Sequence, residues 1–160
     1  MTQSYDDLYW NSDDGLRLHA RDHAPVAGQS PRGVVVCIPG LTRNAADFDA
    51  LAQTLTDEGW RVIAVDLRGR AGSERAHDPT SYNARTYADD MVALLRSQGI
   101  PKAVFVGTSL GVLVTLTVAS RAPELVAAAV LNDAGPRVPR EALARIGKYA
   151  GKPVPPMDLQ

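Results

Sequence analysis

Residues Gly107-Thr108-Ser109-Leu110-Gly111 stand between Ala103-Val104-Phe105-Val106, an apolar run of strand length, and a second apolar run over 112–119 of helix length. Strand, GxSxG, helix is an order that admits few chain paths. The backbone must pass from extended to helical within about one residue, and only small neighbours let so sharp a bend close without a Cβ clash. A bend of this kind lifts one hydroxyl, here that of Ser109, clear of the sheet edge. The amides that open the following helix then point at it and favour negative charge there. The pattern is the nucleophile elbow of acyl-transfer chemistry. A Gly/Ser turn in a nucleotide-binding βα unit would share the five residues. However, no GxGxxG follows the first parallel strand and no GK[ST] loop occurs. No cofactor or metal is expected.

The flanks of this motif alternate between two hydrophobic periods. Val34-Val35-Val36-Cys37-Ile38, Arg61-Val62-Ile63-Ala64-Val65 and residues 126–131 are near-continuous apolar runs, as strands covered on both faces of a parallel sheet require. A helix is expected over 44–58, capped by Asn44, with Phe48, Leu51 and Leu55 on one face. A second is expected over 86–98, closed by Gly99 and Pro101. Ahead of them Asp14-Gly15 signals a hairpin turn, after which Leu16 and Leu18 alternate with Arg17 and His19. Residues 24–33 and 68–83 read as loops. The fold class is α/β: a mostly parallel open sheet with helices on both faces and an antiparallel hairpin at the N-terminus. The 160 residues suffice for one core, placed at 1–136 with six strands and three helices. Residues 137–160 contain the breaker Gly151-Lys152-Pro153-Val154-Pro155-Pro156 and read as a tail.

Charge narrows the partners. The formal net charge is -1 and no Lys/Arg block stands out, which argues against nucleic acid and against an acidic membrane face. The one cysteine, Cys37, lies inside an apolar strand and reads as a buried packing residue. Residues 1–10 lack the basic-then-apolar signature of a secretory leader, and no segment is long and apolar enough to span a bilayer. A cytoplasmic setting is expected.

Three motifs in order make the chain resemble the N-terminal half of an α/β-hydrolase fold enzyme. Ile38-Pro39-Gly40-Leu41-Thr42 is similar to the oxyanion-loop segment after the third strand, with Pro39 where His is common. Asp66-Leu67-Arg68-Gly69-Arg70-Ala71-Gly72-Ser73 is similar to the family's Asp-x-Arg-Gly-x-Gly-x-Ser loop, with Ala71 where the second Gly is usual and Gly72 after it. Gly107 to Gly111 is the elbow, and Leu131-Asn132-Asp133-Ala134-Gly135-Pro136 resembles the end of the sixth strand. The resemblance runs over about 9–139. It implies a sheet in which strand one pairs with strand two and the rest run parallel. It also implies a hydrolase whose serine attacks an ester, a thioester, a lactone or a carbon–carbon bond beside a carbonyl. Ser109 is then the nucleophile, with the Leu110 and Leu41 amides as oxyanion donors. Serine rather than aspartate at the elbow sets the chain apart from the haloalkane and epoxide branches. A complete member is longer, with a cap region, two more strands and a histidine loop, so 137–160 would begin the cap.

In this fold the acid and the histidine follow the nucleophile. No histidine follows Ser109. His19, on the polar face of a hairpin strand, and His23, entering a loop, are expected at the solvated surface. His77 lies in the loop after the fourth strand, at the carboxyl ends of the strands, and is the candidate surrogate base. Asp133 is the acid at a strand end on that same side. It either orients a histidine or, more simply, closes its own turn. Asp66 and Arg68 are expected to hold their loop by hydrogen bonds and an ion pair. The strand at 126–131, apolar on both faces, is expected to be an exposed edge open to self-association or to a complementing chain. The alternative is an inactive hydrolase-like module, or half of a two-chain assembly, binding a carboxylate or carbonyl ligand on the Leu41 and Leu110 amides. Either reading takes a small acyl or carbonyl molecule as ligand.

Overall fold

The computed structural model describes residues 5–134 and residue 141. Six strands hydrogen-bond into one sheet: β1 (Asp6–Asn11), β2 (Arg17–His23), β3 (Gly33–Ile38), β4 (Trp60–Asp66), β5 (Ala103–Thr108) and β6 (Val126–Asn132). Their order across the sheet is β1-β2-β4-β3-β5-β6. Strands β3, β4, β5 and β6 run parallel. Strand β2 is antiparallel to β1 on one side and also to β4 on the other, so the antiparallel part reaches one pairing further than the expected hairpin.

The apolar strands are sorted by their period of two. Val35 and Cys37 of β3, with Val62 and Ala64 of β4, face α1 (Asp49–Asp57) and the 3-10 turn Ala45–Phe48 before it. Val36, Ile38, Ile63, Val65 and Phe105 face the other way, onto α2 (Ala84–Ser97) and α3 (Leu110–Arg121). Helices thus cover both faces. Cys37 is fully buried, and burial pushes its thiol up to about 12, the state of an inert packing residue.

The first helix differs from its expected form. Asn44 does cap it, accepting from the Ala46 amide, but it caps a 3-10 turn. A 3-10 turn advances three residues per turn and an α-helix 3.6, so the junction shifts the buried face. Ala45, Phe48, Ala52 and Thr56 are buried, and Leu51 is left 38% exposed. Helix α2 begins at Ala84, capped by Asn83, whose side chain accepts from the Thr86 amide.

Beneath α2 lies a buried arginine. Arg68, 1% exposed, donates to Asp90 from Nε (2.9 Å) and Nη2 (2.6 Å), and to Asp14 from Nη1 (2.8 Å) and Nη2 (3.0 Å). Trp10 Nε1 donates to the Asp90 carbonyl, fastening β1 to α2. Arg68 therefore pairs with carboxylates from the hairpin turn and from α2, and not with Asp66. Burial raises Asp90 to about 6, and the hydrogen bond from Arg68 holds Asp14 down at about 2.

At the far edge, among the described residues, β6 is open on one side. Val130 is 53% exposed and Leu131 41%, so this strand presents unpaired backbone and apolar side chains, as its sequence leads one to expect.

The Asp14 pairing sets a pH dependence. A folded-state value below the ordinary one means that the stabilisation is present above about pH 4 and is lost as pH falls toward 2. Asp14 is half exposed, which limits the effect to less than about 1 kcal/mol. Asp14→Asn is expected to lower urea stability by up to about 1 kcal/mol at pH 7. Its difference from the parent is expected to shrink steadily between about pH 4 and pH 2. A difference that is constant over that range contradicts the pairing.

Candidate active site

The chain changes from β5 to α3 at a single residue. Ser109 takes φ 52 and ψ -108, a left-handed conformation that costs a non-glycine residue roughly 1–3 kcal/mol. Its neighbours over-determine it. The Ser109 amide donates to the Asn132 carbonyl of β6 (2.9 Å), and the Ser109 carbonyl accepts from Val112 (3.0 Å). A side chain on Gly107 would overlap the Gly111 carbonyl, and one on Gly111 would overlap the Ile38 carbonyl of β3. The two glycines of GxSxG are thus present because backbone fills the space a Cβ needs. Thr115 Oγ1 donates to the Gly111 carbonyl (2.8 Å) and steadies the first turn of α3.

The chain leaving β3 passes directly over this bend. A Cβ built on Gly40 would lie 3.6 Å from Ser109 Cβ and 3.8 Å from the Thr108 carbonyl. Residues 40–43 form a tight turn in which the Arg43 amide donates to the Gly40 carbonyl (3.1 Å). Leu41, at the second position of that turn, is 38% exposed. Leu110 opens α3, where the amides have no carbonyl four residues back to bond. A serine, a turn and a helix N-terminus therefore meet at one point, an arrangement suited to holding negative charge there. A cleft that begins at Thr108 and Asn132 runs away from this point between the first helix and β6, over Phe48, Leu51, Val106 and Val130.

Asp66, at the end of β4, organises the surrounding loops. Its Oδ1 accepts from the Ala45 amide (2.8 Å), where the 40–44 turn enters the first helix. Its Oδ2 accepts from the Gly72 amide (3.1 Å) and lies 2.7 Å from His19 Nδ1. His19 Nε2 in turn lies 2.9 Å from Asp7 of β1. Ser73 donates to the Asp66 carbonyl (2.7 Å) and accepts from the His19 amide (2.9 Å). The loop thus holds itself through Asp66, as expected, with a histidine and two amides in place of an ion pair with Arg68.

His19 and His23 are not solvated. They are 7% and 2% exposed, because β2 is an interior strand flanked by β1 and β4. The displaced glycine of the loop has a related cause. Ala71 takes the positive φ of 39, while at Gly72 a Cβ would lie 2.6 Å from Cγ of His19. The ring occupies the space that excludes a side chain there. Only the polar alternation of the hairpin strand hinted at these residues, and it pointed to solvent.

The remaining candidates divide. Thr108 of β5 pairs with Asn132 of β6, so Asp133, exposed and at φ 62, comes one residue beyond the pair that adjoins Ser109. His77 is exposed between Ala76, whose amide donates to the Tyr82 hydroxyl (2.9 Å), and Asp78, which caps the 3-10 turn Pro79–Ser81. Its loop is drawn toward the hairpin, since the Glu74 amide donates to the Arg17 carbonyl (3.0 Å). Among the described residues no hydrogen bond or ion pair joins His77 to Ser109 or Asp133. Among those residues also, no cluster of His, Cys, Asp and Glu is placed to hold a metal ion, and no helix is long and apolar enough to cross a membrane.

Strand order, elbow and loops together are those of one large group of enzymes. The chain belongs to the α/β-hydrolase fold family, whose model matches residues 33–152. Among its relatives, the 3-hydroxybutyrate-oligomer hydrolase of Cupriavidus necator is 39% identical over 125 residues, which is 78% of this chain and 42% of that protein. The 2-(acetamidomethylene)succinate hydrolase of Mesorhizobium japonicum is 39% identical over 104 residues, 65% of this chain and 36% of that protein. The crystal structure of an α/β hydrolase from Novosphingobium aromaticivorans superposes with a TM-score of 0.85 at 47% identity, over 95% of this chain and 52% of that one. The chain therefore spans about half the length, or less, of the relatives it matches.

The elbow makes a stability prediction that needs no activity. Gly111→Ala drives a methyl group into the Ile38 carbonyl and is expected to cost about 3 kcal/mol in urea unfolding. Gly40→Ala meets only ordinary contacts and is expected to cost less than about 1 kcal/mol. Equal effects at the two positions would contradict the packing described.

Proposed function

We propose that Ser109 is the nucleophile of a carbonyl hydrolysis, with the Leu41 and Leu110 amides receiving the oxyanion. The observation that carries this reading is the bend itself. A serine is held at φ 52 between a strand and a helix, with Gly40 packed against its side chain, and backbone strain of this kind clusters at functional sites. The Ser109 Oγ adds to the carbonyl carbon as its proton passes to a base. The tetrahedral oxyanion lies between the two amides, and its collapse expels the protonated leaving group. Water then releases the acid by the same route. One oxyanion donor is typically worth about 3 kcal/mol in such a step.

The acid in this reading is Asp133. Its support is the β5–β6 register, which ends next to Ser109, and a positive φ that turns the chain sharply at that residue. The base is a histidine outside residues 1–160, from further sequence or from a partner chain. His19 is occupied between Asp66 and Asp7, and among the described residues no hydrogen bond or ion pair joins His77 to Ser109 or Asp133. The substrate class is an ester, thioester, lactone or carbonyl-adjacent carbon–carbon bond. The name of the Cupriavidus necator relative, a hydrolase of 3-hydroxybutyrate oligomers, supports placing acyl transfer first.

The test is a fluorophosphonate probe with peptide mapping, on the chain alone and with a histidine-bearing C-terminal half supplied. Adduct on Ser109, abolished in Ser109→Ala together with p-nitrophenyl ester turnover, is the expected result. Turnover that survives Ser109→Ala rejects the reading. Absence of both labelling and turnover, with ligand-dependent thermal stabilisation intact in Ser109→Ala, leaves the binding module instead. Asp133→Asn tolerates the same φ, so it tests the acid without disturbing the bend. A loss in kcat on the order of 10²–10⁴-fold is expected if Asp133 orients the base, and none if it only closes its turn.

A further inference from the structure

We propose that Arg70 is the positioning residue that holds the Leu41 turn in its working geometry. This rests on the reading of Ser109 and Leu41 given above. Arg70 Nε donates to the Leu41 carbonyl at 2.6 Å, and Nη1 donates to the Arg68 carbonyl at 3.0 Å. The buried Tyr87 hydroxyl faces the same guanidinium. Arg70 is half-buried and, unlike Arg43 and Arg68, pairs with no carboxylate among the described residues. Its planar fork bridges two main-chain carbonyls, one on the loop after β4 and one on the turn after β3.

The effect on the turn follows from peptide geometry. In a four-residue turn the central peptide is the one that can rotate between turn types while the ends stay bonded. Here the ends are bonded, because the Arg43 amide donates to the Gly40 carbonyl. That bond fixes the peptide carrying the Leu41 N–H. The central peptide, between Leu41 and Thr42, is held through its carbonyl by Arg70, the one hydrogen bond to that peptide among the described residues. Both peptides flanking Leu41 are then set before substrate arrives, which is the preorganisation an oxyanion donor requires. A charged donor to a carbonyl makes a stronger bond than a neutral one. Lysine carries its donors on one nitrogen and lacks the rigid planar fork, so it replaces only part of the function.

The experiment compares the protein, Arg70→Met, Arg70→Lys and Ser109→Ala by p-nitrophenyl ester kinetics, under the assay conditions above, and by amide hydrogen exchange over residues 40–44. Both Arg70 variants keep a long alkyl stem, and the lysine variant reads the same quantities if the methionine variant does not fold. Arg70→Met is expected to lower kcat about 10- to 100-fold with KM changed less than about twofold. Arg70→Lys is expected to recover part of this, and exchange at the Arg43 amide, which is hydrogen-bonded across the turn, is expected to rise at least about tenfold in Arg70→Met while strand amides are unchanged. A raised KM with unchanged kcat overturns the proposal, because Arg70 would then be gripping substrate. Unchanged kinetics with unchanged exchange overturn it too. If the protein and Ser109→Ala are equally inactive, the nucleophile reading fails by itself. Exchange then decides the clamp: faster in Arg70→Met sustains it, and unchanged rejects it.

Discussion

Backbone meets backbone where α3 starts. Gly111 lies so close to the end of β3 that no side chain fits, and Gly107 lies equally close to Gly111. This contact pulls the N-terminus of α3 over the carboxyl end of β3 and forces the reversal at Ser109. The strand order gives it its use. From β3 the chain goes to β4 on one side, and it later returns as β5 on the other. The connections after β3 and β5 therefore lead to helices on opposite faces, and a crevice opens between them at the strand ends. Ser109 and the 40–43 turn are the two lips of that crevice.

A second layer of order comes from the loop after β4. Asp66 ties the start of the first helix, the loop itself and β2 to one carboxylate. Arg68, next but one, ties the hairpin turn to α2. Asp66, the last residue of β4, and Arg68, beyond its end, thus look to opposite sides of the sheet, and each finds partners supplied by distant parts of the chain. The result is a rigid frame around a strained serine, which is where stored backbone strain is expected to be tolerated.

Fold class and elbow were legible because both are local. The period of two in Val34 to Ile38 and the run after Gly111 are visible without knowing what they pack against. The elbow glycines announce themselves by spacing. What was hidden depends on pairings far apart in the chain. His19 and His23 alternate like surface residues, and only the β2–β4 pairing makes that strand interior. Arg68 is 54 residues from Asp14 and 22 from Asp90, so neither partner can be read from the motif it sits in. The shift of glycine from 71 to 72 is visible as a departure, but its cause, the His19 ring, is not. Leu51 was misplaced for a local reason, since a 3-10 turn before an α-helix changes the phase of the buried face.

The His19–Asp66 contact has a consequence for recombining this chain with other members of its family. Strand β2 supplies the imidazole, and the segment 66–73 supplies the carboxylate and the glycine that makes room for it. A chimera with its crossover in the 24–32 linker separates two halves adapted to each other. A foreign hairpin carrying a larger ring at that register would strike Gly72, and one carrying an aliphatic side chain would strand Asp66 with one fewer donor. Exchange of the hairpin and of residues 66–73 as one unit avoids both faults.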